Sequence, residues 1–376
     1  MHGPRRGAAG TPFPFEGPVP PELLINREDE LEVLGRRAAD RVSVRLVAPR
    51  RYGKTSLLIA HAARLRAVGW RTAHVDLAQV ADLVDVARRF AAAYAELDSS
   101  WVRAQLGGLL SRIGLSVSAT GPAVTLGPRP APAASEAAEA VLLPLLDLPK
   151  TLWERDQTPT LVVLDEFQDL LVARKGIDGL LRSRIQYHGD AVAYVYAGSE
   201  PALMRELFDA RERPLFGQAV PLTLDPLPFD AAISDLSSRF AAERLDPGQA
   251  LGELVALAAG HPQRTMLLCY LLAEALSAGQ TATPALAADI VEQAVQMTAP
   301  SHQAIWQASG ATERAVLAAV ADGVAPTSHA LAAEHNVART TLGAAADRLV
   351  DQGHLIRSPR ASRLVDPLLG EWLRRR

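Results

Sequence analysis

A candidate phosphate-binding loop follows the first apolar strand that the sequence predicts. In "VSVRLVAPRRYGKTSLLIAHAARL", residues 42–65, a loop ending in Gly53-Lys54-Thr55 separates an apolar run from a helical run. Successive backbone N–H groups and a helix N-terminus bind phosphate oxygens in such loops, while the lysine neutralises outer phosphates and the threonine hydroxyl binds Mg²⁺. The pattern predicts a nucleotide site formed by Ala48, Pro49, Arg50, Arg51, Tyr52, Gly53, Lys54, Thr55 and Ser56.

Two acidic residues end a second apolar run. In "TLVVLDEFQDLL", Asp165 and Glu166 lie at the end of a predicted buried strand, where a carboxylate is normally costly. With a phosphate loop in the same chain, the pair predicts that Asp165 holds Mg²⁺ through water and that Glu166 activates the attacking water. Lys54 and Glu166 are therefore predicted to be catalytic. The alternative is a strand end whose acids face solvent or cap a helix.

Two further polar residues are candidates for reading the terminal phosphate. Ser199, at the end of the strand-like "AVAYVYAGS", is predicted to be catalytic, as a hydroxyl that hydrogen-bonds that phosphate or the attacking water. A Gly-Ser turn with a structural role is the alternative. Arg264 lies in the first turn of a predicted helix, where the helix dipole disfavours a cation and an anionic partner is expected. A bound nucleotide and an ordinary salt bridge both remain open.

Strand-like and helix-like segments alternate from Glu22, which predicts an α/β fold with a mostly parallel sheet. The strands lack clean alternation, as expected when both faces are covered. They are predicted at 42–47, 71–75, 160–164, 191–196 and 220–224. Within the core, residues 114–135 predict an inserted β-hairpin, with a surface loop without a role as the alternative.

The predicted organisation has four parts. Residues 1–21 are rich in proline and glycine and are predicted to be a mobile tail. Residues 22–228 form the core with its hairpin, residues 229–300 a helical lid, and residues 301–376 a winged-helix domain. A short connection near residues 298–301 is expected between the last two parts.

The C-terminal segment predicts a winged helix. Leu342, Ala345 and Leu349 have helical core spacing, Gly353 is expected to end that helix, and 355–356 and 364–365 are predicted strands. From Asn336 onward the sequence contains eight arginines and four acidic residues, and this excess of positive charge suits contact with DNA phosphates. Predicted DNA-binding residues are Arg339, Thr340, Thr341, Arg348, Arg357, Arg360 and Arg363. A protein-binding or purely structural module remains the alternative.

Composition narrows the classes of protein. The 376 residues carry a formal net charge of −3, so any nucleic-acid surface must be local. The single cysteine, Cys269, excludes a disulfide framework. We expect no secretory signal and no membrane association, since no apolar run approaches ~18 residues. The sequence predicts a soluble, cytoplasmic protein.

Several segments together resemble archaeal-type ATPases of the STAND/AAA+ group, which are similar to origin-recognition ATPases. They include "LLINREDELEVL", "APRRYGKTSLL", "VVLDEFQDLL", "GHPQR" and "RLVDPLLGEWLRRR". The resemblance implies a P-loop NTPase core, a helical lid and a C-terminal winged helix, with Arg27 packed near the adenine. Ala48 replaces the usual first glycine of the loop. Gln218 replaces an arginine that relatives carry, so an arginine finger would have to come from Arg211 or Arg213.

The predicted function is an ATP-dependent switch with slow hydrolysis. ATP and Mg²⁺ are the expected ligands, with Thr55 and Asp165 as metal-binding residues. Double-stranded DNA is the expected partner, and a protein partner or a homo-oligomer is the alternative. A nucleotide sensor that barely hydrolyses ATP is a further alternative, which an intact Glu166 disfavours.

Overall fold

The chain forms two compact units in the computed structural model, which describes residues 11–97, 100–113, 115–117, 124–126, 134–357 and 362–376. One unit, here the sheet unit, contains Glu28–Ala48 and Leu57–Leu224. The other, the helical unit, contains the chain up to Arg27 together with Pro49–Ser56 and Asp225–Arg376. The predicted lid and winged helix thus share one unit, and the four-part division of the chain stays a prediction.

Strands and helices are interspersed from Glu28 to Thr223. In order they are α1 (Glu28–Ala39), β1 (Val44–Val47), α2 (Lys54–Ala67), β2 (Arg71–Asp76), α3 (Leu83–Tyr94), α4 (Ser100–Leu110), β3 (Leu115–Val117), β4 (Val124–Leu126), α5 (Ala134–Asp156), β5 (Thr160–Asp165), α6 (Leu170–Ala173), α7 (Ile177–Ile185), β6 (Val192–Gly198), α8 (Pro201–Asp209) and β7 (Val220–Thr223). The first three residues of α2 belong to the helical unit and the rest to the sheet unit.

A five-stranded parallel sheet in the order β2-β5-β6-β1-β7 forms the core of the sheet unit. Every residue of β5 and β6 is buried, because helices cover both faces of a parallel sheet. All strands point the same way, so their carboxyl ends meet at one edge. The predicted α/β fold with a parallel sheet is confirmed.

The predicted insertion contains a pair of short strands. β3 and β4 pair antiparallel, with Leu115 opposite Leu126, inside the segment for which the sequence predicts a hairpin. The residues that join them, 118–123, lie outside the described part of the chain.

The described part of the helical unit continues with ten elements. They are α9 (Phe229–Ala242), α10 (Gly248–Ala258), α11 (Pro262–Ser277), α12 (Pro284–Ala308), α13 (Ala311–Ala321), α14 (His329–Glu334), α15 (Arg339–Asp351), β8 (Leu355–Ile356), β9 (Arg363–Leu364) and α16 (Pro367–Arg374). The last six have the element order of a winged helix, and Gly353 ends α15 with a φ of 76°, as predicted. Neighbouring leucines of α16 enter different cores: Leu368 packs with α9–α12, and Leu369 with α13 and α15.

The connection predicted near residues 298–301 is wrong, because α12 runs through it without a break. The helix is 25 residues long and contains Pro300 in its interior. An interior proline costs ~3 kcal/mol through its lost N–H donor and its ring. Val295, Thr298 and His302 are buried on both sides of it, and this packing outweighs the local cost.

The mobile tail predicted for residues 1–21 needs a correction from residue 11 onward. The Phe13 side chain is completely buried, with its ring centroid 4.4 Å from that of Phe240. Arg239 donates hydrogen bonds to the carbonyls of Pro12 and Leu23, each at 2.9 Å. These partners lie more than 200 residues away in sequence, so local composition could not reveal them. Residues 1–10 lie outside the described part.

No helix among the described residues is long and apolar enough to cross a membrane.

Candidate functional site

The candidate phosphate loop, residues 48–56, leaves β1 between β6 and β7 of the sheet. Ala48 donates a backbone hydrogen bond to the carbonyl of Gly198 at 3.5 Å, and so continues the pairing with β6. Within the loop, the residues with positive φ are Arg51 (64°) and Gly53 (84°). Ala48 has no such angle, so a methyl group replaces the usual glycine without backbone strain. Glycine is needed at Gly53.

Lys54 begins α2 and is buried, with 5% of its surface exposed. Its Nζ donates a hydrogen bond to the carbonyl of Pro49, five residues earlier in the loop, at 3.4 Å. The first turn of α2 contains no acidic residue. The positive end of the helix dipole and the ammonium group therefore attract the same negative charge, as phosphate binding requires.

Other segments of the helical unit hold the loop. The hydroxyl of Ser56 accepts a hydrogen bond from the backbone N–H of Val19 at 3.0 Å. The buried Tyr52 ring packs edge-on against His261, with centroids 5.0 Å apart. Burial raises the pKa of Tyr52 and lowers the pKa of His261 to about 4, so both side chains are neutral near pH 7. The loop sequence alone does not predict these contacts.

A carboxylate cluster, defined as Asp165, Glu166 and the side chains that contact them, lies at the carboxyl end of β5. Asp165 is the last residue of that strand and is 5% exposed. Its Oδ1 accepts from the backbone N–H of Glu166 at 3.1 Å, and its Oδ2 lies 3.3 Å from Nε2 of His74 on β2. β5 and β1 are both neighbours of β6, so the cluster lies at the edge of the sheet where β1 leads into the phosphate loop.

Glu166 has left-handed backbone angles, with φ 49° and ψ 46°. Its Oε2 accepts three hydrogen bonds: from Ser199 N–H at 3.2 Å, from Ser199 Oγ at 2.7 Å and from Gln168 Nε2 at 2.8 Å. The structure therefore brings together Glu166 and Ser199, two residues that were predicted to be catalytic. Ser199 makes hydrogen bonds to the Glu166 carboxylate.

Two residues of the carboxylate cluster were not predicted from the sequence. Gln168 follows Glu166 by two positions and is 2% exposed, which is unusual for an amide directly after a strand end. His74 comes from β2, the next strand in the sheet. Its place within the strand predicted at residues 71–75 was a weak signal for it.

A buried ion-pair cluster, defined as Arg264, His302 and Asp366, lies within the helical unit. Arg264 is 2% exposed and binds Asp366 with two nitrogens, Nε–Oδ1 at 2.9 Å and Nη2–Oδ2. Nε2 of His302 lies 3.0 Å from Oδ2 of Asp366, and Oδ1 of Asp366 also accepts from the backbone N–H of Leu368 at the start of α16. The cluster thus joins α11, α12 and α16.

Asp366 is ionised in this cluster. Burial alone would raise the pKa of Asp366, but hydrogen bonds from His302 and Arg264 hold it well below its usual range. Of the two partners considered for Arg264, the structure therefore contains the salt bridge. The anion expected from the helix dipole is present, but sequence could not indicate that Asp366, 102 positions later, supplies it. A contact between Arg264 and nucleotide stays a proposal.

Arg27 and Gln218 also have defined contacts. Arg27 is buried, and its Nη2 donates to the carbonyl of Asp225 at 2.8 Å. Gln218 is exposed and bonds the carbonyl of Phe216 at 3.3 Å. Arg213, one candidate for a finger, forms ion pairs with Asp178 at 3.4 Å and with Glu206.

The predicted DNA-binding arginines that the structure describes have intramolecular partners. Arg348 pairs with Glu313 and Arg357 with Asp347, both at 2.7 Å. Arg339 donates to the carbonyl of Thr327 at 2.8 Å, and Arg363 to that of Ala259 at 3.4 Å. Exposed side chains include Arg339, Thr340, Thr341, Arg348 and Arg357, whereas Arg363 is half-buried. Arg360 lies outside the described residues.

Comparison with known proteins establishes the fold. No protein-family model matches the chain, and no curated protein matches its sequence. A Walker-type ATPase of Pyrococcus abyssi is similar in structure, with a TM-score of 0.68 and 17% identity over 97% of this chain and 100% of that one. The ORC2 protein of Aeropyrum pernix, in ADPNP–ADP complexes, gives 0.59 and 18% over 97% and 96%. The chain therefore has the fold of these P-loop proteins over nearly its whole length.

We expect Asp366→Asn to destabilise the protein by about 3–5 kcal/mol, because it leaves the buried Arg264 guanidinium without its counter-charge. Denaturant unfolding followed by tryptophan fluorescence measures this change in stability. The control is Asp347→Asn, which breaks an ion pair whose side chains are 49% and 59% exposed and should change stability by less than about 1 kcal/mol. Equal destabilisation of the two variants would contradict a special role for the buried cluster.

Proposed function

We propose that the protein binds and slowly hydrolyses ATP, and that its nucleotide state controls the affinity of its C-terminal module for DNA. One observation carries the hydrolytic part: Glu166 is held beside Asp165 at the sheet edge where β1 leads into the phosphate loop. The similar folds of a Walker-type ATPase and of an ORC2 protein in complex with ADPNP and ADP support it.

The loop residues would bind the triphosphate. Backbone N–H groups after Pro49 and in the first turn of α2 would donate hydrogen bonds to phosphate oxygens. Lys54 would neutralise the charge of the outer phosphates. The Thr55 hydroxyl and the Asp165 carboxylate are oxygen donors of the kind that Mg²⁺ prefers, so the residues present fit this ion. When bound, Mg²⁺ would neutralise charge on the phosphates.

Glu166 would act as the base toward water. Water attacks the terminal phosphorus with an oxygen lone pair, and a water proton passes to the Glu166 carboxylate. The bond from phosphorus to the bridging oxygen breaks, its electron pair leaves with ADP, and the proton is later released with inorganic phosphate. The carboxylate needs a defined position for this step.

DNA binding would use the exposed face of α15 and the adjoining strands. Arg339, Thr340 and Thr341 lie exposed in the first turn of α15, where side chains of a winged helix approach a groove. Arg348 and Arg357 lie further along the same module and are also exposed. Affinity would come mostly from phosphate contacts, since few of these side chains read bases.

A protein partner is the second candidate for this module. Arg348 and Arg357 are already neutralised by Glu313 and Asp347, which lowers the positive field that DNA would meet. An exposed surface of paired charges and alanines fits a protein as well as a nucleic acid. Salt dependence separates the two candidates, because counterion release from DNA gives a steep slope.

The switch would act through the buried ion-pair cluster. Arg264 on α11, His302 on α12 and Asp366 at the start of α16 connect the lid to the winged helix, and α12 is continuous between them. Tyr52 of the phosphate loop packs against His261, whose Nδ1 accepts from the Arg264 backbone N–H at 3.3 Å. ATP would shift the lid only if its affinity for the two orientations differs.

Lys54→Ala should abolish binding of a fluorescent ATP analogue, because the loop loses the charge that offsets the outer phosphates. Glu166→Gln should keep that binding and lower phosphate release by about 100-fold or more, since the base alone is lost. Glu154→Gln, a substitution of an exposed glutamate, is the control and should turn over at the wild-type rate. Wild-type turnover by Glu166→Gln would remove the catalytic assignment.

Replacing Arg339 and Arg357 together by alanine should weaken binding to duplexes of any sequence alike. For every DNA phosphate that the variant no longer neutralises, the slope of log affinity against log salt should fall by about 0.9. Fluorescence anisotropy with a labelled duplex at several salt concentrations measures both quantities. Lys175→Ala, an exposed charge removed from the sheet unit, is the control. Unchanged affinity and slope in the double variant would favour the protein partner.

DNA affinity should differ about 5- to 150-fold between ATP and ADP forms, the usual range of allosteric coupling. The ATP form is the Glu166→Gln protein with ATP, and the ADP form is the same variant with ADP. Arg264→Lys in that background removes the two-nitrogen contact and should shrink this ratio without changing the ADP-state affinity. If the Glu166→Gln protein bound DNA equally well with ATP and with ADP, the proposed switch would be wrong. The protein would then be an ATPase with an independent C-terminal module.

A further inference from the structure

The two oxygens of the Glu166 carboxylate differ in the hydrogen bonds that they accept. All three hydrogen bonds described above, two from Ser199 and one from Gln168, reach Oε2. A carboxylate oxygen has two lone pairs, so three donors saturate Oε2. Oε1 receives none of the three. The lone pairs of Oε2 are therefore occupied, which leaves Oε1 as the oxygen to which a further donor can bind.

Gln168 is fixed by more than its contact with Glu166. Its Nε2 also donates to Oδ1 of Asp169 at 3.1 Å, and Oδ2 of Asp169 accepts from the backbone N–H of Gln79 at 2.7 Å. The two hydrogens of the amide thus have separate carboxylate acceptors. Asp169 in turn is tied to the segment after β2, so the Gln168 amide cannot rotate without breaking both bonds.

Space for this amide depends on the glycine that ends β6. A Cβ atom at Gly198 would lie 2.7 Å from Oε1 of Gln168 and 2.6 Å from the Met204 side chain. Oε1 of Gln168 is buried and has no hydrogen-bond partner among the described residues. A buried acceptor left in this way costs about 1–3 kcal/mol. The amide is thus kept at a cost in stability, which indicates a role beyond holding the fold.

We propose that Gln168 is a positioning residue that, together with Ser199, holds Oε2 of Glu166 so that Oε1 is the oxygen that accepts the proton from water. The inference rests on the proposed ATP hydrolysis and adds two things to it. Ser199 acts through the carboxylate rather than on the phosphate, and Gln168 belongs to the hydrolytic machinery. The step itself is balanced as above, with the proton placed on Oε1.

The test is a double-substitution cycle between Gln168 and Glu166. Gln168→Met keeps the length and bulk of the side chain and removes the amide. It should lower kcat about 10- to 100-fold, the cost of a misplaced catalytic group, while KM and the affinity for ADP stay unchanged. In the Glu166→Gln background the same change should have almost no further effect, because there is no base left to position.

Two further variants complete the experiment. Ser199→Ala removes the hydroxyl that donates to Oε2 of Glu166. It should likewise lower kcat when Glu166 is present and have almost no further effect in the Glu166→Gln background. It keeps the test open if Gln168→Met does not fold. Gln186→Met, a substitution of an exposed glutamine, should leave kcat unchanged.

The outcomes separate this proposal from the function on which it rests. Equal reductions of kcat in the two backgrounds would assign Gln168 a purely structural role, and full activity of Gln168→Met would remove it from the machinery. In either case, a large reduction in Glu166→Gln alone would leave the ATPase proposal standing. Absence of phosphate release by the wild-type protein would overturn both.

Discussion

Parallel pairing of β5, β6 and β1 is the constraint on which the candidate site depends. Because these strands are parallel, their carboxyl ends lie at one edge of the sheet. The positions of Asp165, Ser199 and the start of the phosphate loop at that edge follow from this pairing. Helices cover the sheet, and burial of β5 and β6 on both faces stabilises this pairing. The polar residues are therefore positioned by apolar ones: a strand shift would remove the hydrogen bonds between Ser199 and Glu166.

The helical unit depends on a different kind of interaction. Helices α9–α12 and the segment that begins with α13 have separate apolar cores, and α16 contributes one leucine to each. Asp366 begins that helix and binds Arg264 and His302 where all three are largely excluded from water. Such a cluster adds little stability over an apolar replacement, but breaking it is costly, which makes it suited to defining one orientation of packed helices.

Two departures from the expected motifs have different physical weight. Ala48 replaces a glycine at a position where the backbone does not need positive φ, so the change costs little. Gln218 replaces an arginine, and the chemistry of a guanidinium cannot be supplied by an amide. Arg213 is held by Asp178 and Glu206 within the sheet unit. Neither Gln218 nor Arg213 is therefore suited to act as an arginine finger, and hydrolysis, as proposed, is expected to be slow.

Features that depend on neighbours in the chain could be predicted from the sequence. The apolar runs predicted the parallel strands, the Gly53-Lys54-Thr55 pattern predicted where a helix begins after β1, and Gly353 predicted the end of α15. Tertiary structure decided the contacts between residues far apart in sequence. These include the packing of Phe13 on Phe240, the continuity of α12 through Pro300, the pairing of Arg264 with Asp366, and the hydrogen bonds of Ser199 and Gln168 to Glu166. Local periodicity carries no information about such partners, because burial and charge pairing across the fold select them.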